Sequence, residues 1–156
     1  MTVTERLSLI RDYYKRAGKP AVSEPTVPSD GTAYSKSILI IEEALELIAA
    51  LGFEVRVTQA FGANIVEATR KGEPDLVEIV TALRGLEYAT GGLEVALGLQ
   101  DAADDTFIAV HKANMETQPT SALGGNMEPA KPPGWQPPDI RGILRKLFPT
   151  KCLLFQ

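Results

Sequence analysis

The sequence predicts a single domain of the all-α class. Apolar residues recur every three or four positions over several long stretches, as at Ile38, Ile41, Leu45 and Ile48, and this spacing is typical of amphipathic helices. Glycine or proline flanks each stretch, where helices commonly begin or end. With 156 residues, of which 44% are apolar, the chain is long enough to bury one core.

Four substantial helices follow from this periodicity. The second is the clearest, because its apolar stripe is uninterrupted and Gly52 follows it. In the third, Pro74 stands where the first turn of a helix tolerates proline. In the fourth, the early aspartates suit the positive end of the helix dipole. The predicted ranges are 4–17, 33–51, 75–97 and 101–115.

The connecting segments are rich in proline and glycine. Residues 19–32 are predicted to form a loop, residues 53–57 a short strand, and residues 58–73 an irregular helix, although this last pattern is ambiguous. Residues 117–139 are predicted to form a long non-regular arm, and residues 140–147 a short final helix. The prediction is therefore one domain over 1–156, with a helical core at about 33–116 and a Pro-rich arm with its terminal helix at about 117–150.

Three glycines weaken the third predicted helix. Gly85, Gly91 and Gly92 lie inside it, and each costs about 1 kcal/mol relative to alanine. Glycine inside a helix either permits close packing on a neighbour or marks a break, and the sequence leaves both readings open.

Composition and charge exclude several functional classes. The net charge of −4, without a long Lys/Arg run, argues against binding to a nucleic-acid backbone. No apolar stretch reaches the roughly 18 residues of a membrane helix. The single cysteine, Cys152, allows neither an internal disulfide nor a Cys/His zinc site. The first residues do not form a signal peptide, so we expect a cytoplasmic location.

Three glutamates crowd one face of the second helix. Glu42 and Glu46 are four residues apart, and Glu43 and Glu46 are three apart, so all three side chains are neighbours. Their mutual repulsion would be relieved by Mg²⁺, which prefers oxygen ligands. On spacing alone, a solvated acidic surface explains the same pattern.

Further candidates lie on the later elements. Glu78, on the third helix, would complete a carboxylate cluster with Glu46 or else be a surface residue. His111, the only histidine, is either structural or a polar contact to substrate. Trp135 lies in an arm stiffened by two Pro-Pro pairs. Either Trp135 anchors this arm onto the helices, or the arm is a peptide ligand for another domain, a surface brace or a lid over a site.

The order of these motifs resembles a known group of enzymes. An EExxE helix (Glu42–Glu46) is followed by DLVEI and LEY within 75–88, by VHKANM at 110–115 and by KPPGWQPPDI at 131–140. This order is similar to that of the MazG-like and phosphoribosyl-ATP pyrophosphohydrolase-like group within the all-α NTP pyrophosphohydrolases. The resemblance covers about residues 33–145.

The resemblance implies a fold, a reaction and an assembly. It implies a four-helix-type bundle that forms a homodimer or a higher homo-oligomer. The implied reaction cleaves a nucleoside triphosphate to the monophosphate and pyrophosphate with Mg²⁺ or, alternatively, Mn²⁺ as cofactor. Metal ligands would be Glu42, Glu43, Glu46 and Glu78, with Glu43 also placed near the attacking water as the catalytic residue. The nucleotide would contact His111, Asn114, Lys131 and Trp135.

The chain departs from this family pattern at several positions. The aspartate of the family's ExxD motif falls at Thr81, and a second acidic position falls at Gly85. Glu116 and Thr117 stand where a lysine is common, and Gly125-Asn126-Met127 stands where a Gly-Lys pair is common. Three hypotheses follow: an active pyrophosphohydrolase with an altered site, a catalytically degenerate relative that binds nucleotide or serves as a helical interaction module, and a helical bundle of unrelated function.

Overall fold

The computed structural model describes residues 1–60, 62–117 and 130–156. These residues form a mostly helical protein with one small antiparallel sheet. A 3₁₀ turn precedes α4, and a 3₁₀ segment follows α5. The elements in chain order are α1 (Val3–Arg16), α2 (Asp30–Ala50), β1 (Phe53–Ala60), β2 (Ala63–Arg70), α3 (Leu76–Leu97), α4 (Ala103–Met115) and α5 (Ile140–Leu147).

The four predicted long helices are confirmed, with shifts at their ends. Helix α2 begins three residues early, because the Ser29 side chain accepts a hydrogen bond from the Thr32 N–H and caps it. Pro74 lies ahead of α3 rather than in its first turn, because Asp75 is the capping residue. The arm is described only from residue 130, so the Gly125-Asn126-Met127 segment lies outside the described residues.

Helices α2 and α3 run antiparallel and pack against each other. The backbone N–H of Asp75 donates to the carbonyl of Ala50 at 3.1 Å, which joins the start of α3 to the end of α2. At the far end of the pair, Lys36 lies beside Gly92. Helix α1 packs on the second half of α3, and the core there consists of Leu7, Ile10, Tyr14, Val95 and Ala103.

The prediction of an irregular helix over 58–73 is wrong, because this segment completes a β-hairpin. Strand β1 continues to Ala60 and pairs with β2 in the register Phe53↔Arg70 to Ala60↔Ala63. The connection has two residues, of which Gly62 takes a φ of 78°, as tight hairpin turns require. Both strands contain β-branched residues, such as Val55, Val57, Ile65 and Val66, which are common in strands.

The α3 glycines permit close packing and do not break the helix. A Cβ on Gly91 would lie 2.6 Å from Ile10 Cδ1 and 2.9 Å from Leu7 Cδ2. A Cβ on Gly92 would overlap the Tyr14 hydroxyl. The two glycines therefore bring the α1 backbone close to α3, and the burial gained by the core offsets their low helix propensity.

A buried lysine joins the three packed helices. Lys36 of α2 donates a hydrogen bond to the hydroxyl of Tyr14 in α1, and its Nζ lies 4.3 Å from the centre of the Tyr14 ring. Burial, and then the charge of Lys19, lower the pKa of Lys36 below its ordinary value. Lys36 therefore releases its proton more readily in the folded protein than in the unfolded chain.

We expect the Lys36→Met variant to differ from the wild type in the pH dependence of its stability. Because the pKa of Lys36 is lower in the folded state, the unfolded chain binds more protons at alkaline pH, and wild-type stability rises with pH on this account. The variant lacks this gain. Denaturant titrations of both proteins at about pH 7 and about pH 10 should show the wild type gaining relative to the variant. A constant difference between the two would contradict the prediction.

Part of the apolar surface is left uncovered within one chain. Along α2, Tyr34, Ile38, Ile41 and Leu45 form a stripe on the side away from α3, and their exposed fractions run from 40% to 71%. We call these four residues the α2 stripe. No helix in the described part of the chain is long and apolar enough to span a membrane.

Candidate functional site

An acidic cleft lies where the end of α2 faces the beginning of α3. It has a volume of about 410 Å³. Glu46 contributes from α2 and Glu78 from α3, and Thr81 lies one turn beyond Glu78. Two of the four predicted metal ligands, one from each helix, therefore line the same cleft. The remaining lining residues are Ala49, Ala50, Glu73, Asp75 and Ala82.

Local structure at the start of α3 places Glu78 toward this cleft. The Asp75 carboxylate accepts hydrogen bonds from the backbone N–H groups of Val77 at 2.8 Å and Glu78 at 3.2 Å. This cap fixes the first turn, where the helix dipole also favours the negative charge of Glu78. The hydroxyl of Thr81 donates to the carbonyl of Val77 at 2.9 Å, which leaves its lone pairs free to accept a hydrogen bond from a water molecule.

The predicted catalytic residue Glu43 lies outside the lining of the cleft. Its carboxylate lies against Gly85 of α3, in the space that a Cβ at position 85 would take. Glycine at position 85, where the family pattern has an acidic residue, therefore makes room for the side chain of Glu43. Glu42, the remaining predicted ligand, is exposed on α2 and does not line the cleft.

The two substrate residues predicted on α4 are separate from the cleft in this chain. Helix α4 packs on α1, on α5 and on the 3₁₀ turn that precedes it. His111 and Asn114 are exposed on α4 and are not among the residues that line the cleft. One chain thus does not bring the His-x-x-Asn motif together with Glu46 and Glu78.

The described part of the arm is anchored on α4. Trp135 Nε1 donates to the carbonyl of Ala113 at 3.1 Å, and Lys131 Nζ lies 4.7 Å from the centre of the Trp135 indole. Of the readings open from the sequence, these contacts favour Trp135 as the anchor of the arm. They also hold Lys131 close to the end of α4 that carries Asn114.

The charges of the cleft suit a hard cation. Glu46, Glu73, Asp75 and Glu78 all line it, while Arg70 is paired with Glu73 at 2.8 Å. Carboxylate oxygens are the ligands that Mg²⁺ prefers, and Mg²⁺ commonly uses only one or two of them and keeps several waters. Within the three described ranges, no group of three or more His, Cys, Asp or Glu side chains is arranged to hold a metal ion directly.

Sequence reasoning missed Glu73 and Asp75 as cleft residues. A signal for Asp75 was present, because an aspartate directly ahead of an apolar helical stretch is a common capping residue. Glu73 had no comparable signal, since its position depends on the return of the β-hairpin to the end of α2.

Comparison with known proteins adds no assignment. No family model matches the chain, and no curated protein matches it.

Proposed function

We propose that the protein is a Mg²⁺-dependent nucleoside triphosphate pyrophosphohydrolase with its metal held in the α2–α3 cleft. One observation carries the proposal. Glu46 and Glu78, which match the family's two metal-binding motifs, lie on different helices and line the same cleft. The reaction would add water to a (d)NTP-like substrate and release a monophosphate and pyrophosphate. A cytoplasmic location stays a prediction.

The side chains suggest a division of labour. Glu46 and Glu78 would hold Mg²⁺, and Thr81 would hydrogen-bond a water in the cleft. Bound Mg²⁺ would offset the negative charge of the triphosphate and lower the pKa of a coordinated water. Glu43, about one helical turn away from Glu46 on α2, would orient or deprotonate the attacking water after its carboxylate leaves the surface of Gly85.

The direct test is pyrophosphate release from a panel of ribo- and deoxyribonucleoside triphosphates. The full chain is incubated with Mg²⁺ or Mn²⁺, and the nucleotide products are separated by ion-exchange chromatography. We expect a monophosphate and pyrophosphate, with no activity in excess chelator. Failure to release pyrophosphate from every nucleotide with either metal would refute the proposal.

A catalytically degenerate relative is the second candidate, and positions 81 and 85 favour it. We expect Thr81→Asp to restore a carboxylate in the cleft and to lower the Mg²⁺ concentration for half-maximal activity roughly tenfold. Gly85→Asp should bring no such gain, because its Cβ would displace the Glu43 carboxylate. Magnesium titrations of pyrophosphate release measure both variants.

Thr81→Asn is the matched control, because it has the shape of the aspartate without its charge. Equal magnesium dependence of the Asp and Asn variants would contradict a metal at this position. An inactive wild type together with turnover in Thr81→Asp would establish that the protein is a catalytically degenerate relative.

We also propose that the four-helix-type bundle is completed by a second copy of the chain, as a homodimer or a higher homo-oligomer. The α2 stripe supports this, because contiguous exposed apolar surface commonly marks a protein interface. The stripe runs along the face of α2 opposite α3, so two copies related by a twofold axis would bury it symmetrically.

Ile41→Glu should convert the assembly to monomers. Ile41 lies in the middle of the α2 stripe and is 56% exposed in one chain, so the new charge is tolerated by the monomer but not in an apolar interface. Sedimentation velocity measures the change. Leu9→Glu, at a similarly exposed apolar position on α1, is the control that should leave the assembly intact. A monomeric wild type at micromolar concentration would rule out the interface.

A further inference from the structure

A second cavity lies at the opposite end of α3 from the acidic cleft. Glu94, in its wall, is sixteen residues beyond Glu78 on the same helix, which is about 24 Å along the axis. The cavity has a volume of about 360 Å³ and lies between the end of α3 and helices α4 and α5. Its apolar wall includes Leu99, Ala102, Ala103, Phe107, Ile140 and Leu144.

Among the described residues that line this cavity, Glu94 is the charged one. It is half-buried, and burial raises the pKa of its carboxyl above the ordinary value. Among the hydrogen bonds and ion pairs of the described residues, none involves its carboxylate. Asp104, the acidic residue next to Ala103, accepts a hydrogen bond from the Val3 backbone N–H at 3.0 Å, so it is already engaged. Glu94 therefore remains as the acidic group that a ligand can reach.

We propose that this cavity binds a small amphipathic amine, with its ammonium group paired to Glu94 and its apolar body against α4 and α5. The volume falls at the lower end of small-molecule pockets, which are mostly apolar with few polar groups that orient the ligand. An ammonium near a half-buried carboxylate restores the interactions that the carboxylate loses on leaving water.

Thr106 provides a second polar contact in the same wall. Its hydroxyl donates to the carbonyl of Ala102 at 2.7 Å, so its oxygen can still accept a hydrogen bond. An ammonium has three donors, and Glu94 and Thr106 together can accept two of them. A neutral alcohol of the same shape would keep the apolar contacts but lose the ion pair.

The experiment compares 2-phenylethylamine with the neutral 2-phenylethanol on the full chain without nucleotide. Binding is followed by heteronuclear NMR shifts, which also locate the site. We expect the amine to bind roughly tenfold more tightly than the alcohol and to shift resonances at the end of α3 and along α4. Glu94→Gln should abolish the preference and leave the alcohol's affinity unchanged. Circular dichroism checks that the variant folds.

Two further variants separate the possible outcomes. Phe107→Ala removes a ring that is mostly exposed, so the fold should tolerate it while both ligands bind more weakly. Glu116→Gln, an exposed glutamate just beyond α4, is the matched control and should change neither affinity. No shifts at these helices, or an amine affinity that Glu94→Gln leaves unchanged, would overturn the proposal. Because no nucleotide is present, either result leaves the proposed pyrophosphohydrolase activity untouched.

Discussion

Glu46→Gln should reduce Mg²⁺-dependent pyrophosphate release by roughly 100-fold or more. The substitution keeps the size of the side chain but removes a negative charge from the α2–α3 cleft. Because Mg²⁺ would be held there by few carboxylates, losing one should weaken metal binding and the electrostatic stabilisation of the triphosphate. Glu78→Gln should have a similar effect, since it removes the proposed ligand on the opposite helix. Initial rates at several Mg²⁺ concentrations measure the loss.

A stability measurement separates this effect from misfolding. Removing one of several neighbouring carboxylates relieves repulsion, so without metal the variant should be at least as stable as the wild type. The wild type should gain stability on adding Mg²⁺, because a ligand that binds only the folded state stabilises it, and the variant should gain less. Glu67→Gln, an exposed glutamate on β2, is the matched control. Full activity in Glu46→Gln would exclude the cleft as the metal site.

Gly98→Ala should lower the free energy of unfolding by about 3 kcal/mol. Gly98 ends α3 with a φ of 70°, in the left-handed region that disfavours residues with a Cβ. A Cβ there would also overlap the backbone of Glu24. That backbone belongs to the loop that crosses the end of α3, where the Thr26 N–H donates to the carbonyl of Leu97 at 3.0 Å. The clash is with main chain, so no rotamer change relieves it.

Urea unfolding of both proteins measures this loss. Gly31→Ala is the control, because it lies in the first turn of α2 with nothing within 4 Å of the new Cβ. It should be neutral or stabilising by up to about 1 kcal/mol. A Gly98→Ala protein as stable as this control would show that the loop moves aside without cost.

Several features could be predicted from the sequence because they depend on neighbouring residues. The spacing of Ile38, Ile41 and Leu45 located α2, and Gly52 located its end. The same reasoning failed over 58–73, because the short alternating runs there do not distinguish a strand from an irregular helix until the partner strand is known. Hairpin pairing with β1 supplied that partner.

Other features depended on contacts between distant parts of the chain. The sequence left open whether Gly91 and Gly92 break α3. In the structure they do not, because side chains of α1 pack directly against them. The spacing of Glu42, Glu43 and Glu46 in the sequence grouped them on one face of the helix. The packing of α2 on α3 separated them, with Glu46 in the cleft, Glu43 on Gly85 and Glu42 in solvent.

By itself the sequence determined where the long helices lie and which residue types are available for metal chemistry, because helical periodicity and capping are local properties of the chain. Only the tertiary structure decided which carboxylates share a cleft, that Glu73 and Asp75 join Glu46 and Glu78 there, and that the α2 stripe is left uncovered. These outcomes follow from the antiparallel packing of α2 and α3, which the β-hairpin connects. This packing brings together residues about thirty positions apart, and no local sequence pattern encodes it.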